Sequence, residues 1–348
     1  RWLAWISMSK ASPAIFQTKP LVFWQVLGSP SGGPFFLEFC GMKTLSGQDV
    51  SRFSFGTMQF GGKADEAASA ALYAASRAAG IDFFDTAYVY TGGRSETILG
   101  KLIAKERDDI FVATKVGYDH PPTAANIQKY FDESRTRLGI DVVDLLYLHR
   151  LHPDVSMEEQ AEGLANLVKA GSVRHVGLSN FAAWQVMKFR EIARGFGIAP
   201  EVLQPMYNLV KRQVEVEILP MAASEDIHVC PYSPLGGGLL TGKYVAGGSG
   251  RLSEDERYEA RYGLDWMHEA ASGLDALARE LGVHPATLAV AWVAKNPAVW
   301  GPIISGKSVE QLQPSLDAIG FEMDDALYER ITALSRAPAP ATDRLEEA

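Results

Sequence analysis

Short apolar runs alternate with amphipathic stretches along most of this 348-residue chain, and this alternation constrains the fold more than any other feature. Alternating strands and helices predict a parallel sheet, because each parallel strand needs a crossover connection that helices commonly provide. Eight runs of strand length recur from residue 53 onward. They cover residues 53–56, 81–84, 109–114, 142–148, 173–179, 201–205, 228–232 and 300–305.

Helical patterns separate most of these runs. Residues 123–138 are one example, in which Thr123 can cap the first turn and Gly139 follows the last. The other predicted helices cover residues 65–79, 94–105, 157–170, 182–195, 212–225 and 285–296. Eight strand–helix units in about 290 residues fit an α/β fold of the closed (β/α)8 TIM-barrel type. The alternative, an open doubly wound sheet, would place a glycine fingerprint after its first strand, where this chain has only scattered glycines.

The domain organisation predicted from the sequence is simple. Residues 1–41 are rich in Trp, Phe, Pro and Gly without periodicity, and we interpret them as a disordered or non-native extension before Met42. Residues 42–336 are predicted to form one barrel, and residues 337–348 are predicted to be a loose acidic tail. The stretch 233–262 is Gly-rich and then charged, which predicts one long irregular loop over the barrel mouth.

Charge and cysteine content exclude several classes of protein. The formal net charge is -9 without a strong basic block, so nucleic-acid binding is not expected. No apolar run approaches the roughly 20 residues of a membrane helix, so we expect no membrane partner. The two cysteines, Cys40 and Cys230, are too few for a disulfide framework, which favours a cytoplasmic location.

Polar residues stand where the predicted strands end, and in a barrel these ends form the active site. Asp85 ends the second strand, Lys115 the third and His149 the fourth. Ser179, Asn180, Gln204, Tyr232 and Ser233 end the next three. We therefore expect these side chains to meet at one mouth.

An Asp, a Lys, a His and a Tyr at one mouth can protonate an oxygen. A free tyrosine has a pKa near 10, and a nearby lysine cation is expected to lower that pKa. An aspartate keeps the lysine charged, and the histidine can donate a hydrogen bond to a carbonyl oxygen. Tyr88 and Tyr90 both follow Asp85, and the chemistry alone does not choose between them.

Several long motifs resemble the aldo-keto reductase superfamily: "FDTAYVYTGGRSETILG", "FVATKVG", "VDLLYLHR", "VRHVGLSNF", "LQPMYNLVKRQVE" and "YSPLGGGLLTGKY". Within it, the chain is most similar to the aflatoxin-aldehyde reductase branch and the related potassium-channel β-subunit branch. The resemblance implies the catalytic tetrad Asp85, Tyr90, Lys115 and His149. The family's tyrosine lies five residues after the aspartate, which selects Tyr90 and leaves Tyr88 as a packing residue.

The resemblance also implies a nicotinamide cofactor, NADPH, with NADH as an open alternative. Ser179, Asn180 and Gln204 would hold the carboxamide, and Tyr232 would stack on the ring. Ser233, Pro234, Leu235, Gly236 and Gly238 would form the pyrophosphate loop, with Lys243 as a nearby cation. Gly56, Thr57, Met58 and Asp85 would line the same cleft.

The segment expected to bind the adenine end of the cofactor departs from the family pattern. The loop after the last strand would contribute Ser305, Gly306, Lys307, Gln311 and Ser315. Lys307 stands alone where many members place an arginine for the 2'-phosphate, and a lysine lacks arginine's bidentate fork. Arg251 in the long loop could supply a second contact.

The implied substrate is a small carbonyl compound contacted by Tyr90 and His149. Arg261 matches a substrate-carboxylate arginine of the aflatoxin-aldehyde reductase branch, which suggests acidic aldehydes such as succinic semialdehyde; a solvated loop arginine is the alternative. The expected activity is reduction of aldehydes or ketones. A regulatory cofactor-binding subunit and an alcohol or sugar dehydrogenase stay open, as does the choice between monomer and homo-oligomer.

Overall fold

Eight parallel strands form one sheet in the computed structural model, which describes residues 41–245 and 247–344. The strands are β1 (Ser54–Gly56), β2 (Phe83–Asp85), β3 (Phe111–Val116), β4 (Val143–Leu148), β5 (Val173–Ser179), β6 (Val202–Gln204), β7 (His228–Val229) and β8 (Ile303–Ile304). All eight lie within or beside the runs predicted from the sequence.

The strand order is β7-β6-β5-β4-β3-β2-β1-β8, so consecutive strands pair and β8 returns to pair with β1. The sheet curls until its two edge segments meet. Trp300 N donates to Val229 O over 2.9 Å, and Ile303 N donates to Pro231 O over 2.9 Å. These bonds join the edges without a regular ladder between β7 and β8, so the sheet is not a fully closed barrel.

Twelve α-helices are found in the described ranges. They are α1 (Glu66–Ala78), α2 (Arg94–Ile103), α3 (Ala124–Leu138), α4 (Met157–Lys169), α5 (Ala183–Arg194), α6 (Ile218–Ser224), α7 (Arg251–Glu254), α8 (Glu256–Tyr262), α9 (Asp265–Leu281), α10 (Pro285–Lys295), α11 (Val309–Leu316) and α12 (Asp325–Thr332). The caps of α3 are those predicted from the sequence. The side chain of Thr123 accepts a hydrogen bond from Asn126 N, and Gly139 ends the helix in a left-handed conformation.

Prolines account for several differences from the predicted elements. The strands β7 and β8 are shorter than the runs 228–232 and 300–305, because Pro231 and Pro302 cannot donate to a ladder. The predicted helix 212–225 is divided into a 3-10 turn at Gln213–Glu215 and α6, whose first turn holds Pro220. A proline fits a first turn, where its missing N–H has no helical partner.

The prediction of one irregular loop over 233–262 was wrong. That stretch contains a 3-10 segment at Gly236–Thr241 and the helices α7 and α8. The helices α9, α11 and α12 were not predicted. A proline inside α11, Pro314, obscures its helical pattern, whereas the spacing of buried residues in α9 is regular and would have supported a helix.

Strand alternation decides which side chains reach the interior of the curled sheet. Phe111 and Ala113 of β3, and Leu145 and Tyr147 of β4, belong to the inner apolar cluster, whereas Val112 packs outward with the helices. Successive strand residues point to opposite faces. The next inward positions are therefore Lys115 on β3 and His149 after β4. The same alternation directs Asp85 and Gln204 inward after Phe83 and Val202.

A buried carboxylate ties the other end of the strands. Asp144 is fully buried and accepts hydrogen bonds from Arg107 Nη2 at 2.7 Å, from Arg174 Nη1 at 2.6 Å and from Val112 N at 2.9 Å. Both arginines keep some contact with water. Because a buried charge is stable only when it is paired, this network fixes β3, β4 and β5 to one another.

We expect Asp144→Ala to lower the free energy of unfolding by about 3–5 kcal/mol, because it leaves two partly buried guanidinium groups and a buried backbone N–H without their acceptor. Denaturant titration followed by circular dichroism measures the loss. Asp141→Ala is the matched control, since Asp141 is exposed and should cost less than about 0.5 kcal/mol. Equal losses for the two variants would contradict this account.

The described residues before β1 and after α12 add little regular structure. Residues 1–40 and 345–348 lie outside the described residues, so the predictions made for them stay predictions. Met42 is buried in the inner cluster, and residues 337–344 form neither helix nor strand. In 41–245 and 247–344, no helix is both long enough and apolar enough to cross a bilayer.

Candidate active site

A buried lysine is the centre of the mouth. Lys115 has no exposed side-chain surface, and its Nζ donates to Asp85 Oδ1 at 2.5 Å, to Thr86 O at 2.7 Å and to Tyr90 Oη at 3.4 Å. Gln204 Nε2 donates to the other carboxylate oxygen of Asp85 at 2.8 Å. The strand ends β2, β3 and β6 thus meet in one network, and all three ammonium protons of Lys115 have acceptors.

Burial and charge act in opposite directions on these groups. Burial lowers the pKa of Lys115, but the carboxylate of Asp85 outweighs it and the pKa ends above its ordinary value. For Tyr90, burial raises the pKa above 10 and Lys115 offsets only part of that rise. Lys115 lowers the pKa of Tyr90, as the sequence predicted, but burial has the larger effect and the pKa stays above its ordinary value. Tyr90 is therefore protonated at neutral pH, as a proton donor must be.

Tyr90 and His149 face each other beside the lysine. Their ring centroids are 6.0 Å apart in an edge-to-face arrangement, and Lys115 Nζ lies 4.9 Å from the Tyr90 centroid. Burial, then Lys115 and Arg150, lower the pKa of His149 to about 3, so the imidazole is neutral at physiological pH. Its buried Nδ1 has no hydrogen-bond partner in the described ranges.

Tyr88, the other candidate from the sequence, takes a different role. Its hydroxyl donates to Glu133 Oε2 at 2.8 Å, its ring lies 4.8 Å from the ring of Tyr130, and the guanidinium of Arg137 stacks on it at 4.4 Å. The side chain of Tyr88 therefore packs against α3. Its backbone N donates to Lys115 O at 3.0 Å, but of the two hydroxyl groups only that of Tyr90 lies at Lys115 Nζ.

Polar groups predicted to hold a nicotinamide cluster at the ends of β5, β6 and β7. Asn180 has a left-handed backbone, and its Nδ2 donates to His149 O at 2.9 Å and to Ser179 Oγ at 3.0 Å. Ser179 Oγ donates to Gln204 O at 3.0 Å. Tyr232 Oη donates to Asn180 Oδ1 at 2.7 Å, which fixes the half-buried ring at the strand ends. These four residues lie together beside the tetrad.

A glycine loop follows Tyr232. Gly236, Gly237 and Gly238 all have positive φ, at 56°, 66° and 100°, a conformation that other residues rarely adopt. A Cβ atom at Gly238 would lie 3.3 Å from Lys243 Nζ, so this cation borders the loop. The N–H groups of Gly236 and Gly238 donate within the loop, to Ser233 O at 3.0 Å and to Leu235 O at 2.9 Å. The loop can still bring its backbone close to a phosphate beside the charge of Lys243. Ser233, Pro234 and Leu235 lead into it, with Pro234 buried.

The first and last strands meet across the cleft. Ser305 Oγ donates to the carbonyl of Gly56 at 2.7 Å, and Thr57 N donates to the carbonyl of Asp85 at 2.9 Å. Met58 is 38% exposed, so its side chain is open to a ligand. These contacts place the end of β1 between the tetrad and the loop after β8.

The residues predicted to bind the adenine end of the cofactor are only partly brought together. Lys307 is exposed, and its backbone N donates to Gln311 Oε1 at 2.9 Å, with Gly306 beside it. Ser315 is fully buried on α11 and its hydroxyl has no hydrogen-bond partner in the described part of the chain, so this geometry does not support a cofactor contact there. Arg251 begins α7, and its side chain lies outside what the structure describes.

Arg261 lies in the last turn of α8. Its guanidinium carbon is 5.6 Å from the Tyr258 ring, and its positive charge lowers the pKa of Tyr232, against a larger rise from burial. No carboxylate lies within ion-pair distance of Arg261 in the part of the chain that is described. The structure thus brings an unpaired cation towards the tetrad's side of the mouth.

Sequence reasoning missed residues that complete the mouth. Tyr118, three residues after Lys115, lies 4.8 Å from the His149 ring and is 44% exposed. Asn208 Nδ2 donates to Ser233 O at 2.9 Å and to Tyr262 Oη at 3.3 Å, which joins the glycine loop to α8. Tyr118 was detectable because it stands in the loop after β3, three residues after Lys115, whereas nothing in the sequence distinguishes Asn208.

These features define an α/β oxidoreductase-type site with an Asp–Lys–Tyr–His centre and a glycine loop beside it. Residues 52–336 match the model of the Aldo/keto reductase family, and the chain belongs to that family. In 41–245 and 247–344, no group of three or more metal-binding side chains is found.

Named relatives cover most of the chain. "Aldo-keto reductase YhdN" of Bacillus subtilis is 34% identical over 278 residues, 74% of this chain and 82% of the relative. The "Probable voltage-gated potassium channel subunit beta" of Arabidopsis thaliana is 34% identical over 294 residues, 79% of this chain and 89% of the relative. The "L-glyceraldehyde 3-phosphate reductase" of Escherichia coli is 30% identical over 264 residues, 69% and 75% respectively.

Proposed function

We propose that this protein is an NADPH-dependent reductase that converts small aldehydes or ketones to alcohols in the cytoplasm. The observation that carries the proposal is the contact set of Lys115 with Asp85 and Tyr90, with His149 alongside. Such a set offers a protonated phenol, a fixed cation and a neutral imidazole at one point. The reductase names of two relatives support the same reading.

The side chains present fit a nicotinamide dinucleotide. Asn180 and Gln204 offer amide groups, Tyr232 offers a fixed ring face, and the left-handed glycines can approach phosphate oxygens with Lys243 as countercharge. Bound nicotinamide would supply the hydride. Lys307 is our candidate for binding the 2'-phosphate of NADPH. Arg251, which the sequence predicts for this role, is a second candidate, and the use of NADH stays an alternative.

The protein's own groups would handle the proton and the substrate oxygen. Neutral His149 can donate a hydrogen bond to the carbonyl oxygen and orient it. Tyr90 would donate its proton to that oxygen as negative charge develops. Lys115, held by Asp85, would stabilise the resulting phenolate. Because the ammonium is already in place, little reorganisation accompanies the reaction.

The channel-subunit relative favours a second candidate, a cofactor-sensing subunit with little turnover. Against it, all four tetrad side chains are present and in contact here. A dehydrogenase using the same groups would differ only in direction, and the reverse assay with NADP and an alcohol panel distinguishes it.

Full-length purified protein should oxidise NADPH when given benzaldehyde or succinic semialdehyde, followed by the absorbance of the reduced nicotinamide. We expect kcat in the range of about 1–10³ s⁻¹. A parallel titration with NADH tests cofactor preference. Tight NADPH binding without turnover, together with a partner protein that co-purifies stoichiometrically, would instead favour the regulatory subunit.

A further inference from the structure

An aromatic and cationic wall stands beside His149. The ring centroids of Tyr118 and His149 are 4.8 Å apart, and the guanidinium carbon of Arg150 lies 4.7 Å from the Tyr118 centroid. Tyr118 follows β3 and Arg150 follows β4, so two neighbouring strand ends deliver the pair. Both side chains are exposed, and both therefore border solvent next to the imidazole.

Arg150 lies over Tyr118 without an ion pair in the described residues. In residues 41–245 and 247–344 it has neither a carboxylate within ion-pair distance nor a hydrogen-bond acceptor. The acids nearest in sequence, Asp119 and Asp154, lie within ion-pair distance of histidines instead. By contrast, Arg257 of α8 is paired with Asp255 at 2.9 Å. The stack holds a guanidinium in place while leaving its donors available.

We propose that Tyr118 and Arg150 bind the far end of the carbonyl substrate, and that this end is a flat group carrying a carboxylate. The inference rests on the proposed reductase function. A flat ring can lie along the exposed face of Tyr118 while its carbonyl reaches His149. A carboxylate at the opposite end of that ring then meets the guanidinium, which can donate to both carboxylate oxygens in parallel.

This subsite is separate from the one suggested by Arg261. Arg150 follows β4, whereas Arg261 belongs to α8 in the connection after β7, and β4 and β7 are three strands apart in the sheet. We therefore assign the substrate anion to Arg150 rather than to Arg261. The preferred substrate class is a carboxylated aromatic aldehyde rather than a short aliphatic acid.

The test compares 4-carboxybenzaldehyde with its uncharged methyl ester on the full-length protein with NADPH. In the unaltered protein the acid should have the lower KM. Arg150→Gln should reduce the ester-to-acid KM ratio by about three- to tenfold, since one exposed charge-assisted contact is lost. Tyr118→Ala should reduce the ratio similarly, and Tyr118→Phe should keep it. The ratio should also fall as salt rises.

Control variants separate the possible sources of selectivity. Arg194→Gln removes an arginine of α5 that is already paired with Glu191 at 3.2 Å, and it should leave the KM ratio unchanged. If Arg261→Gln abolishes the preference for the acid and Arg150→Gln does not, the anion is held on α8 and the proposal is overturned.

A binding measurement separates this proposal from the proposed function. Ligand-observed NMR with 4-carboxybenzaldehyde reports affinity without turnover. If the unaltered protein reduces neither aldehyde yet binds the acid through Arg150, the subsite stands and the reductase function fails. If both aldehydes are reduced with an unchanged ratio in Arg150→Gln, the function stands and the subsite fails.

Discussion

Tyr90→Phe is expected to lower kcat by about 10²–10⁴-fold, because it removes the proton donor from a position 3.4 Å from Lys115 Nζ. The phenyl ring keeps its packing against His149, so folding and cofactor affinity should change little. Turnover with NADPH and benzaldehyde, and cofactor affinity from fluorescence titration, measure the two effects separately.

Tyr88→Phe is the matched control for that experiment. It removes a hydroxyl two residues away that is bonded to Glu133 rather than to the lysine. Its kcat should stay within about twofold of the unaltered value, since a change outside the reacting groups removes no transition-state contact. If Tyr90→Phe retained full turnover, the assignment of the proton donor would be wrong.

The free energy of unfolding should fall steeply as the pH drops below 6.5. The pKa of His149 is lowered to about 3 in the folded protein, against an ordinary value of 6.5. A folded pKa below the unfolded one contributes stability above the unfolded pKa, and that stability is lost as pH falls towards the folded pKa. The loss is about 1.4 kcal/mol per pH unit, or about 2 kcal/mol between pH 6.5 and pH 5.

Denaturant titrations at several pH values measure this dependence, and His149→Gln should flatten it. Identical slopes for the unaltered protein and His149→Gln would show that the imidazole is not held neutral by the fold.

The architecture was largely predictable because its signal is local. Strand-length apolar runs and period-two alternation indicate which residues face inward, so the inward positions of Asp85, Lys115 and Gln204 follow from Phe83, Phe111 and Val202. Strand lengths at β7 and β8 depended on prolines. The helices α11 and α12 are short and have weak helical patterns in the sequence. The pattern of α9, by contrast, is regular enough to predict a helix.

The sequence predicted which polar residues lie together at the strand ends, but it did not predict the direction of their pKa shifts. Chemistry grouped a Tyr with Asp85 and Lys115, and family spacing was needed to select Tyr90 over Tyr88. The direction of the Tyr90 pKa depends on burial, which a sequence does not report. Likewise, the burial of Ser315 and the stack of Arg150 on Tyr118 depend on distant segments packing together, and no local pattern encodes them.

The bond between Gln204 and Asp85 also limits how modular this fold can be. It joins residues 119 positions apart in the chain, from β6 to β2, across the interior of the sheet. Eight similar strand–helix units suggest a protein that could be cut and recombined unit by unit. However, a fragment ending before β6 would contain the whole Asp–Lys–Tyr–His set but not Gln204. One carboxylate oxygen of Asp85 would then lose its hydrogen-bond donor. Both halves of the chain therefore contribute to the reacting centre. A recombinant of two relatives would need to take Asp85 and Gln204 from the same parent.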